Sequence, residues 1–192
     1  MAHLIRYYMY KQIKQCLKRN NLLPLNGKIL GISNIESFHP LISEKAKVID
    51  TKYPEVDMQH LPYDNNSFDY VISDQVIEHL LDPKKAIEES HRVLRENGIA
   101  IHTTCFMNYI HPGPLDLWRF SPDALRLISE ECGFSQTVQC AGWGNRMALI
   151  LCFMGDRFRS MNIPETKWSV RNYIATKNEP RYPIVTWLVA KK

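Results

Sequence analysis

The sequence predicts a single α/β domain built on a doubly wound, mainly parallel sheet with a terminal antiparallel strand. Segments with the pattern of strands alternate along the chain with segments of helical period, which is the order that parallel sheets require. Residues 68–73 form a short apolar run of the kind that a parallel sheet buries on both faces. A length of 192 residues with 45% hydrophobic content is enough for one full core. We therefore expect one domain over residues 1–192.

Composition argues against several classes of function. The net charge of +4 and the pI of 8.8 are mild, and the basic residues are dispersed, so we expect no nucleic-acid partner. The longest apolar run, residues 147–155, is too short to cross a bilayer, and residues 1–20 contain no uncharged segment of signal-peptide length. The five cysteines are irregularly spaced without a Cys-x-x-Cys pair, which indicates reduced thiols. These features predict a cytoplasmic protein with no membrane span.

Residues 3–19 have apolar side chains at roughly helical spacing, with basic residues between them. Such a helix could lie on a membrane surface, or it could cap the sheet and the mouth of a ligand site. Tyrosines near its centre give it a broad face without strong amphipathic contrast, which favours the cap. We therefore interpret residues 1–26 as an N-terminal cap helix, and Asn26-Gly27 turns the chain into the first strand.

The first half of the core, which begins at residue 27, is predicted to contain strands with one short helix between the first two. The strands are residues 28–33, residues 46–50, a short segment near residues 56–57 if it is present, and residues 68–73, and the helix ends near Lys45. Only about six residues separate Asp50 from Asp57, whereas a complete crossover connection needs roughly ten or more. One helix of the usual pattern is therefore missing or reduced to a turn.

The second half of the core, up to residue 142, contains two helices with recognisable ends. Asp82-Pro83 predicts a helix start, and this helix runs to about Arg95, where Asn97-Gly98 ends it. Ser121-Pro122 starts the next helix, and Gly133 ends it.

Three further strands complete the predicted sheet, at residues 99–104, 138–141 and 184–190. The last two are predicted to pair as an antiparallel hairpin across a long excursion, residues 143–183, and residues 184–192 hold the final strand. We expect the excursion to shape substrate choice, through side chains that include Trp143, Asn145, Arg146, Arg157, Arg159, Trp168 and Tyr173.

Ligands of doubly wound sheets bind beyond the carboxyl ends of the strands. Asp50 closes the second strand about 20 residues beyond the first loop, where an acid that accepts hydrogen bonds from a ribose is expected. The alternative is that Asp50 only forms the turn at the end of its strand. The motifs that follow favour the ribose contact.

Four short motifs follow one another between Asp57 and Gly98. They are Asp57-Met-Gln-His-Leu-Pro-Tyr63, Asn65-Asn-Ser-Phe-Asp-Tyr-Val-Ile-Ser73, Val76-Ile-Glu-His-Leu80 followed by Asp82-Pro83, and Glu88-Glu-Ser-His-Arg-Val-Leu-Arg-Glu-Asn-Gly98. This order resembles the middle of class I S-adenosylmethionine-dependent methyltransferases of the small-molecule type. The resemblance implies a Rossmann-like sheet, S-adenosylmethionine as cofactor and a small-molecule substrate.

The resemblance also assigns roles to residues at the strand ends. Asp57 would accept the adenine amino group, with the Met58 backbone amide beside the ring. Ser73, Asp74 and Gln75 would line the methionine portion of the cofactor. Glu78-His79 would open the following helix beside the reaction centre. Asp69 is expected to have a structural role.

The first loop departs from the family pattern, which is approximately Leu-Asp-Ile-Gly-x-Gly-x-Gly. Aligned on Leu30, this chain has Gly31 for the acid, and Ser33, Ile35 and Ser37 for the three glycines. Ile35 would adopt a left-handed conformation only at a strain of about 1–2 kcal/mol, so we expect the loop to take another path. Gly31 and Ser33 would still contact the cofactor. Glu36 either replaces the missing acid that binds the methionine amino group or is a solvated loop residue.

The segment His111-Pro-Gly-Pro-Leu-Asp-Leu-Trp-Arg-Phe-Ser-Pro122 resembles one that follows the fifth strand in some members of the same family. Its position would place it over the active site. Asp116 and Arg119 could form an ion pair that orders this loop, with Trp118 as a lid. His111 and His79 are the candidates for a catalytic base. Members with this type of loop often act in cell-surface sugar or natural-product pathways.

We expect no metal site in this protein. His102 lies in an apolar strand and is interpreted as a satisfied core histidine, and His79, His102 and His111 lack the spacing of known motifs. The sequence thus favours methyl transfer from S-adenosylmethionine to a small molecule. The alternative, supported by the missing glycines, is a catalytically inactive methyltransferase-like binding or scaffold subunit. A nicotinamide-dependent dehydrogenase fits less well, because the same glycines matter more there.

Overall fold

The computed structural model describes residues 3–111, 113–164 and 169–192. Its strands are β1 (Lys28–Ile32), β2 (Lys47–Thr51), β3 (Phe68–Asp74), β4 (Leu94–Cys105), β5 (Gln136–Trp143) and β6 (Val185–Lys191). Its α-helices are α1 (Leu4–Arg19), α2 (Pro83–Val93), α3 (Pro122–Glu131), α4 (Arg146–Met154), α5 (Asp156–Arg159) and α6 (Val170–Thr176). Two 3-10 helices span Glu36–Leu41 and Ile77–His79.

The six strands form one sheet in the order β2-β1-β3-β4-β6-β5. Neighbours among β1 to β4 pair in parallel, whereas β6 is antiparallel to both β4 and β5. The predicted fold class is therefore confirmed, and so is the antiparallel pairing across the long excursion.

Side-chain caps start α2, α3 and α4, the last through Asn145, which accepts a hydrogen bond from the Ala148 amide. Asp82 accepts a hydrogen bond from the Lys85 amide, and Ser121 accepts one from the Ala124 amide, each with proline at the next position. The prediction that Asn97-Gly98 ends α2 is wrong, because α2 already ends at Val93. Asn97, with φ of 66°, instead lies where the β3–β4 pairing shifts register.

Residues 52–67 between β2 and β3 contain turns and no strand. The missing crossover helix is thus confirmed, and the short strand considered near residues 56–57 is absent. Met58 and Leu61 are almost completely buried and pack with the cluster beneath α2 instead of extending the sheet. The short helix expected before Lys45 is a 3-10 helix, and it contains Pro40, which an α-helix interior tolerates poorly. Because no strand forms between β2 and β3 in the sequence, no further strand pairs outside β2, which is an edge strand of the described sheet.

The sheet is covered on both faces. One face packs against α1 and the residues of the excursion, and its largest buried side chains are Trp143 and Trp187. The other face packs against α2 and α3, around Phe68 and Leu125. Because Leu4, Met9, Ile13 and Leu17 are all fully buried, α1 is a cap on the sheet, as predicted.

The excursion forms α4, α5 and α6 on the same face as α1. The Asn145 amide holds it in place by donating hydrogen bonds of 2.9 Å to the carbonyls of Ile174 and Lys177. Trp168, one of the side chains expected to shape substrate choice, lies outside the described residues. Within the parts of the chain that are described, no helix combines the length and apolar character needed to cross a membrane.

Candidate active site

A cavity of about 260 Å³ opens at the carboxyl ends of β1 and β3. Its lining comes from the first loop, the segment after β2, the 3-10 helix after β3 and the loop before α3: Ile32, Ser33, Tyr53, Val56, Asp57, Met58, Gln59, Gln75, Val76, His79, Leu80, Leu81, Gly113, Pro114 and Leu115. Five predicted site residues are therefore brought together here, namely Ser33, Asp57, Met58, Gln75 and His79. The position is the one that doubly wound sheets use for ligands.

The first loop takes the different path that its sequence predicts. Positive φ falls on Ser33 (62°) and Asn34 (58°), whereas Ile35 has an ordinary φ of −91°. The fully buried Ile35 side chain lies against Gly31, where a Cβ would come within 2.8 Å of both Ile35 and the Asp50 carboxylate. Gly31 is thus required for packing between the loop and the end of β2.

Three of the predicted cofactor contacts lie beside the cavity and do not line it. Gly31 is covered by Ile35, Asp50 projects over Gly31 from the end of β2, and Glu36 is exposed at the start of a 3-10 helix. Their predicted contacts with the cofactor remain predictions.

Asp57 forms a local turn on the cavity wall. Its carboxylate accepts hydrogen bonds from the Gln59 backbone amide at 2.8 Å and from the Gln59 side chain at 3.0 Å. Burial by itself would raise the pKa of Asp57, but these hydrogen bonds outweigh it and hold the pKa below its ordinary value. Gln59 also accepts a hydrogen bond from the Asp82 amide, so the position of Asp57 is coupled to the start of α2.

The three residues predicted to line the methionine portion separate in the structure. Ser73 is buried, and its hydroxyl contacts the ring of His102 at 2.8 Å. The Asp74 carboxylate accepts hydrogen bonds of 2.5 Å from the hydroxyls of Tyr10 and Thr103. Only Gln75, with φ of 58°, lines the cavity. Asp74 therefore joins α1 to the sheet at the edge of the site.

His102 is buried as predicted, but it is only partly satisfied. Its Nδ1 faces the Ser73 hydroxyl, and no described residue offers a hydrogen-bond partner to its Nε2. Burial lowers the pKa of His102 to about 4, so the ring is neutral near neutral pH.

Glu78, His79 and His111 meet beside the cavity, and of the three only His79 lines it. Glu78 is completely buried; its Oε2 accepts a hydrogen bond from Thr104 at 2.8 Å, and its Oε1 lies 4.0 Å from His111 Nε2. His79 Nδ1 contacts the Leu115 carbonyl, and the rings of His79 and His111 meet edge to face with centroids 5.1 Å apart. Sequence reasoning named both histidines but assigned no chemistry to Glu78, although it directly precedes His79 in the chain.

The predicted Asp116–Arg119 ion pair is present. Arg119 binds both carboxylate oxygens of Asp116 and donates a further hydrogen bond to the Tyr109 carbonyl. Asp116 also accepts a hydrogen bond of 2.8 Å from the His111 amide. Hydrogen bonds from Arg119 outweigh burial and hold the pKa of Asp116 well below its ordinary value. This pair therefore fixes the segment that carries His111.

The role predicted for Trp118 needs correction. Its indole nitrogen donates to the Leu80 carbonyl at 2.8 Å, and the side chain is half exposed outside the cavity. The part of this segment that covers the cavity is Gly113, Pro114 and Leu115, and the Gly113 backbone lies directly against the His79 ring.

The fold and the cavity define a Rossmann-like protein with a ligand site at the carboxyl edge of its sheet. A family model described as "Methyltransferase domain" matches residues 11–102. This match covers just under half of the chain, and over those residues the chain is similar to S-adenosylmethionine-dependent methyltransferases.

The relatives show how far the similarity extends. A chloroplastic 2-methyl-6-phytyl-1,4-hydroquinone methyltransferase of Oryza sativa is 35% identical over 56% of this chain, which spans only 32% of that relative. A Haemonchus contortus phosphoethanolamine N-methyltransferase in complex with S-adenosylhomocysteine superposes over 95% of this chain and 52% of its own, with a TM-score of 0.58 and 15% identity. A methyltransferase of Aquifex aeolicus superposes over 95% and 97%, with a TM-score of 0.54 and 14% identity. At 14–15% sequence identity, the Haemonchus contortus and Aquifex aeolicus structures show only that the fold is shared.

Proposed function

We propose that this chain transfers a methyl group from S-adenosylmethionine to a small-molecule acceptor within the cavity at the ends of β1 and β3. The observation that carries the proposal is the arrangement along that cavity. Ser33, Asp57, Met58 and Gln75, all assigned to cofactor binding from the sequence, lie along its wall, and His79 lines the same cavity.

The wall formed by the segment after β2 suits an adenosine group. Tyr53, Val56 and Met58 provide apolar surface for a flat ring, and the Asp57 carboxylate lies beside them. A carboxylate that is ionised near neutral pH accepts hydrogen bonds only, which matches the two donor hydrogens of an adenine amino group.

The part of the cavity beside His79 suits the methyl acceptor. The sulfonium methyl group is already electrophilic, so the protein mainly has to align a nucleophile with it, and such alignment supplies roughly 7–11 kcal/mol. If the acceptor is a hydroxyl, His79 is placed to take its proton, with His111 beside it. Because His79 Nδ1 faces the Leu115 carbonyl, we assign the proton to Nδ1 and the basic lone pair to Nε2.

We further propose an acceptor with an apolar part, from cell-surface sugar or natural-product metabolism. Leu80, Leu81, Pro114 and Leu115 give the cavity a largely hydrophobic lining. The segment from His111 to Pro122, which suggested that context, forms part of the same wall. All five cysteines are free thiols, which supports a reducing, cytoplasmic location.

Calorimetric titration with S-adenosylhomocysteine tests the cofactor assignment. We expect binding in the micromolar range, about −8 kcal/mol. Asp57→Ala should weaken it roughly tenfold, because a hydrogen bond to a charged group contributes about 1.5–3 kcal/mol. Asp64→Ala, an exposed acid outside the cavity, is the matched control and should bind like the wild type.

Two outcomes would overturn parts of the proposal. Full affinity in Asp57→Ala would remove the adenine contact. No binding by the wild type would favour the non-catalytic scaffold, in which the buried Ile35 marks a loop that no longer serves a cofactor.

A further inference from the structure

Three side chains from two separate segments bring possible metal-ligand atoms close together beside the cavity. One ligand atom from each of Glu78, His79 and His111 lies within 4.8 Å of the others. Glu78 and His79 come from the 3-10 helix after β3, and His111 comes from the segment before α3. Their convergence depends on the fold, which is why the spacing along the chain predicted no metal site.

The Glu78 carboxylate lacks a partner on one side. Its side chain has no solvent exposure, its Oε2 is hydrogen-bonded to Thr104, and within the described residues its Oε1 has no hydrogen-bond partner. A buried carboxylate with an unpaired oxygen is unfavourable unless a cation or a donor is supplied. A cation beside Oε1 would remove this penalty.

Both histidines are oriented as metal-binding histidines usually are. His79 Nδ1 contacts the Leu115 carbonyl, and His111 Nδ1 lies 3.4 Å from Asp116 Oδ2 and 3.3 Å from the Tyr109 carbonyl. For His79 this acceptor places the proton on Nδ1 and leaves the Nε2 lone pair free. Around His111 Nδ1 lie these two oxygens and the Asn108 side-chain amide nitrogen, 3.3 Å away, and such outer contacts orient metal ligands. Arg119 holds Asp116 in turn, so the contact to His111 is itself fixed.

We propose that Glu78, His79 and His111 bind a divalent transition metal ion of the zinc type. Two imidazole nitrogens and one carboxylate oxygen form a ligand set that zinc uses with a fourth position left open. Metal bonds of about 2.0–2.2 Å require ligand atoms roughly 3.4 Å apart. Rotation of the partly exposed His111 can close the 4.0 Å gap between its Nε2 and Glu78 Oε1. The site goes beyond the proposed methyl transfer. A zinc ion on His79 Nε2 would occupy the lone pair assigned above to proton removal, so in the zinc-bound protein His79 is a ligand and not a base.

A zinc titration of the metal-stripped full chain against a chromophoric chelator tests the site. The wild type should bind one ion per chain in competition with the chelator. His111→Ala, His79→Ala and Glu78→Gln should each weaken zinc binding by roughly tenfold or more. His39→Ala removes an exposed histidine elsewhere and should leave the affinity unchanged.

The absorption spectrum of bound Co²⁺ distinguishes a histidine that binds the metal from one that only supports the fold. Co²⁺ in the site should give visible d–d absorption, and His111→Ala should abolish it while the far-UV circular dichroism stays the same. His111 is partly exposed, so this variant keeps the proposal testable even if Glu78→Gln fails to fold. If the wild type binds zinc no more tightly than the His79→Ala/His111→Ala double variant, or if His39→Ala loses as much affinity, the proposal is wrong. S-Adenosylhomocysteine binding is measured separately, so failure of either proposal is distinguishable from failure of the other.

Discussion

At the scale of single residues, the first loop shows how a departure from a sequence pattern is accommodated. The glycine pattern places positive φ at positions that include Ile35, whereas the chain places it at Ser33 and Asn34. Ile35 is then free to turn inward and pack over Gly31. The isoleucine is therefore a core residue of this loop.

Restoring the family glycines should change the free energy of unfolding by very different amounts at the two positions. Ser33→Gly relieves a left-handed serine but makes the unfolded chain more flexible, so the free energy of unfolding should change by less than about 1 kcal/mol. Ile35→Gly empties a buried site and should reduce it by at least about 2–5 kcal/mol. Urea denaturation measures both changes.

Ile35→Val is the matched control for this comparison, since it removes one methylene and should cost about 0.5–1.5 kcal/mol. A stability of Ile35→Gly equal to that of Ile35→Val would show that Ile35 does not pack as described.

Asp116 is a second residue whose environment sets a measurable property. Its pKa in the folded protein lies below the unfolded value of about 3.9. The stabilisation is therefore fully present above that value and is lost as the pH falls through the folded pKa. Asp116→Asn should lower the free energy of unfolding by about 1–3 kcal/mol near neutral pH. Denaturation curves at decreasing pH should show this difference shrink below about pH 4.

Asp123 provides the matched comparison, because it also pairs with an arginine three residues later, yet its side chain is 89% exposed where that of Asp116 is 2% exposed. Asp123→Asn should cost less than about 1 kcal/mol at any pH. Equal effects at the two sites would mean that burial does not strengthen the Asp116 pair.

At the scale of elements, α1 is attached to the sheet by both apolar packing and one polar contact. Tyr10 donates a 2.5 Å hydrogen bond to Asp74, and Arg6 lies 3.8 Å from the same carboxylate. Burial, together with the Asp74 charge, raises the pKa of Tyr10 to about 12, so its hydroxyl stays protonated and remains a donor. The helix is thereby held against the strand end that borders the cavity.

Tyr10→Phe should loosen α1 without unfolding the domain. Losing a hydrogen bond to a charged group should cost about 1.5–3 kcal/mol, and amide exchange across residues 6–13 should become faster. Tyr7→Phe removes a hydroxyl from the same helix for which the described residues provide no hydrogen-bond partner, so its exchange should match the wild type. Unchanged exchange in Tyr10→Phe would show that apolar packing alone holds the helix.

Much of the element pattern was predictable because it depends on local chemistry. Asp82-Pro83 and Ser121-Pro122 start helices through contacts within four residues, and an apolar run identifies β3 whatever its neighbours. The convergence of Glu78 with His111 was not predictable, since it depends on how the segment before α3 folds back. The same holds for Asp74, whose partner Tyr10 is 64 residues away. Local patterns located the cavity, and tertiary packing decided which side chains face it.

At the scale of the whole molecule, the burial of His102 makes the free energy of unfolding depend on pH. Burial lowers its pKa to about 4, against about 6.5 in an unfolded chain. Between these values the unfolded chain binds more protons than the folded one, so the stability contributed by neutral His102 is present above pH 6.5 and is lost on acidification. Glu78 acts in the opposite direction, because its pKa is raised.

His102→Asn should therefore flatten the pH dependence of the free energy of unfolding between about pH 4 and 6.5, by roughly 2–4 kcal/mol in total. Urea denaturation across this range measures the slope. The exposed His60 provides the control, and His60→Asn should keep the wild-type slope. A wild-type slope in His102→Asn would show that another group sets the acid sensitivity.

The placement of β6 between β4 and β5 also has a consequence for how the chain is made. In the described sheet β5 pairs with β6 alone, so residues 136–143 have no strand to join until residues 185–191 have been synthesised. A ribosome adding about 5–20 residues per second leaves β5 and its apolar surface waiting for seconds. A nascent chain that stops short of β6 would leave one edge of β4 unpaired from Ile99 to Cys105. Folding of this domain is therefore expected to finish only after residues 185–191 leave the exit tunnel.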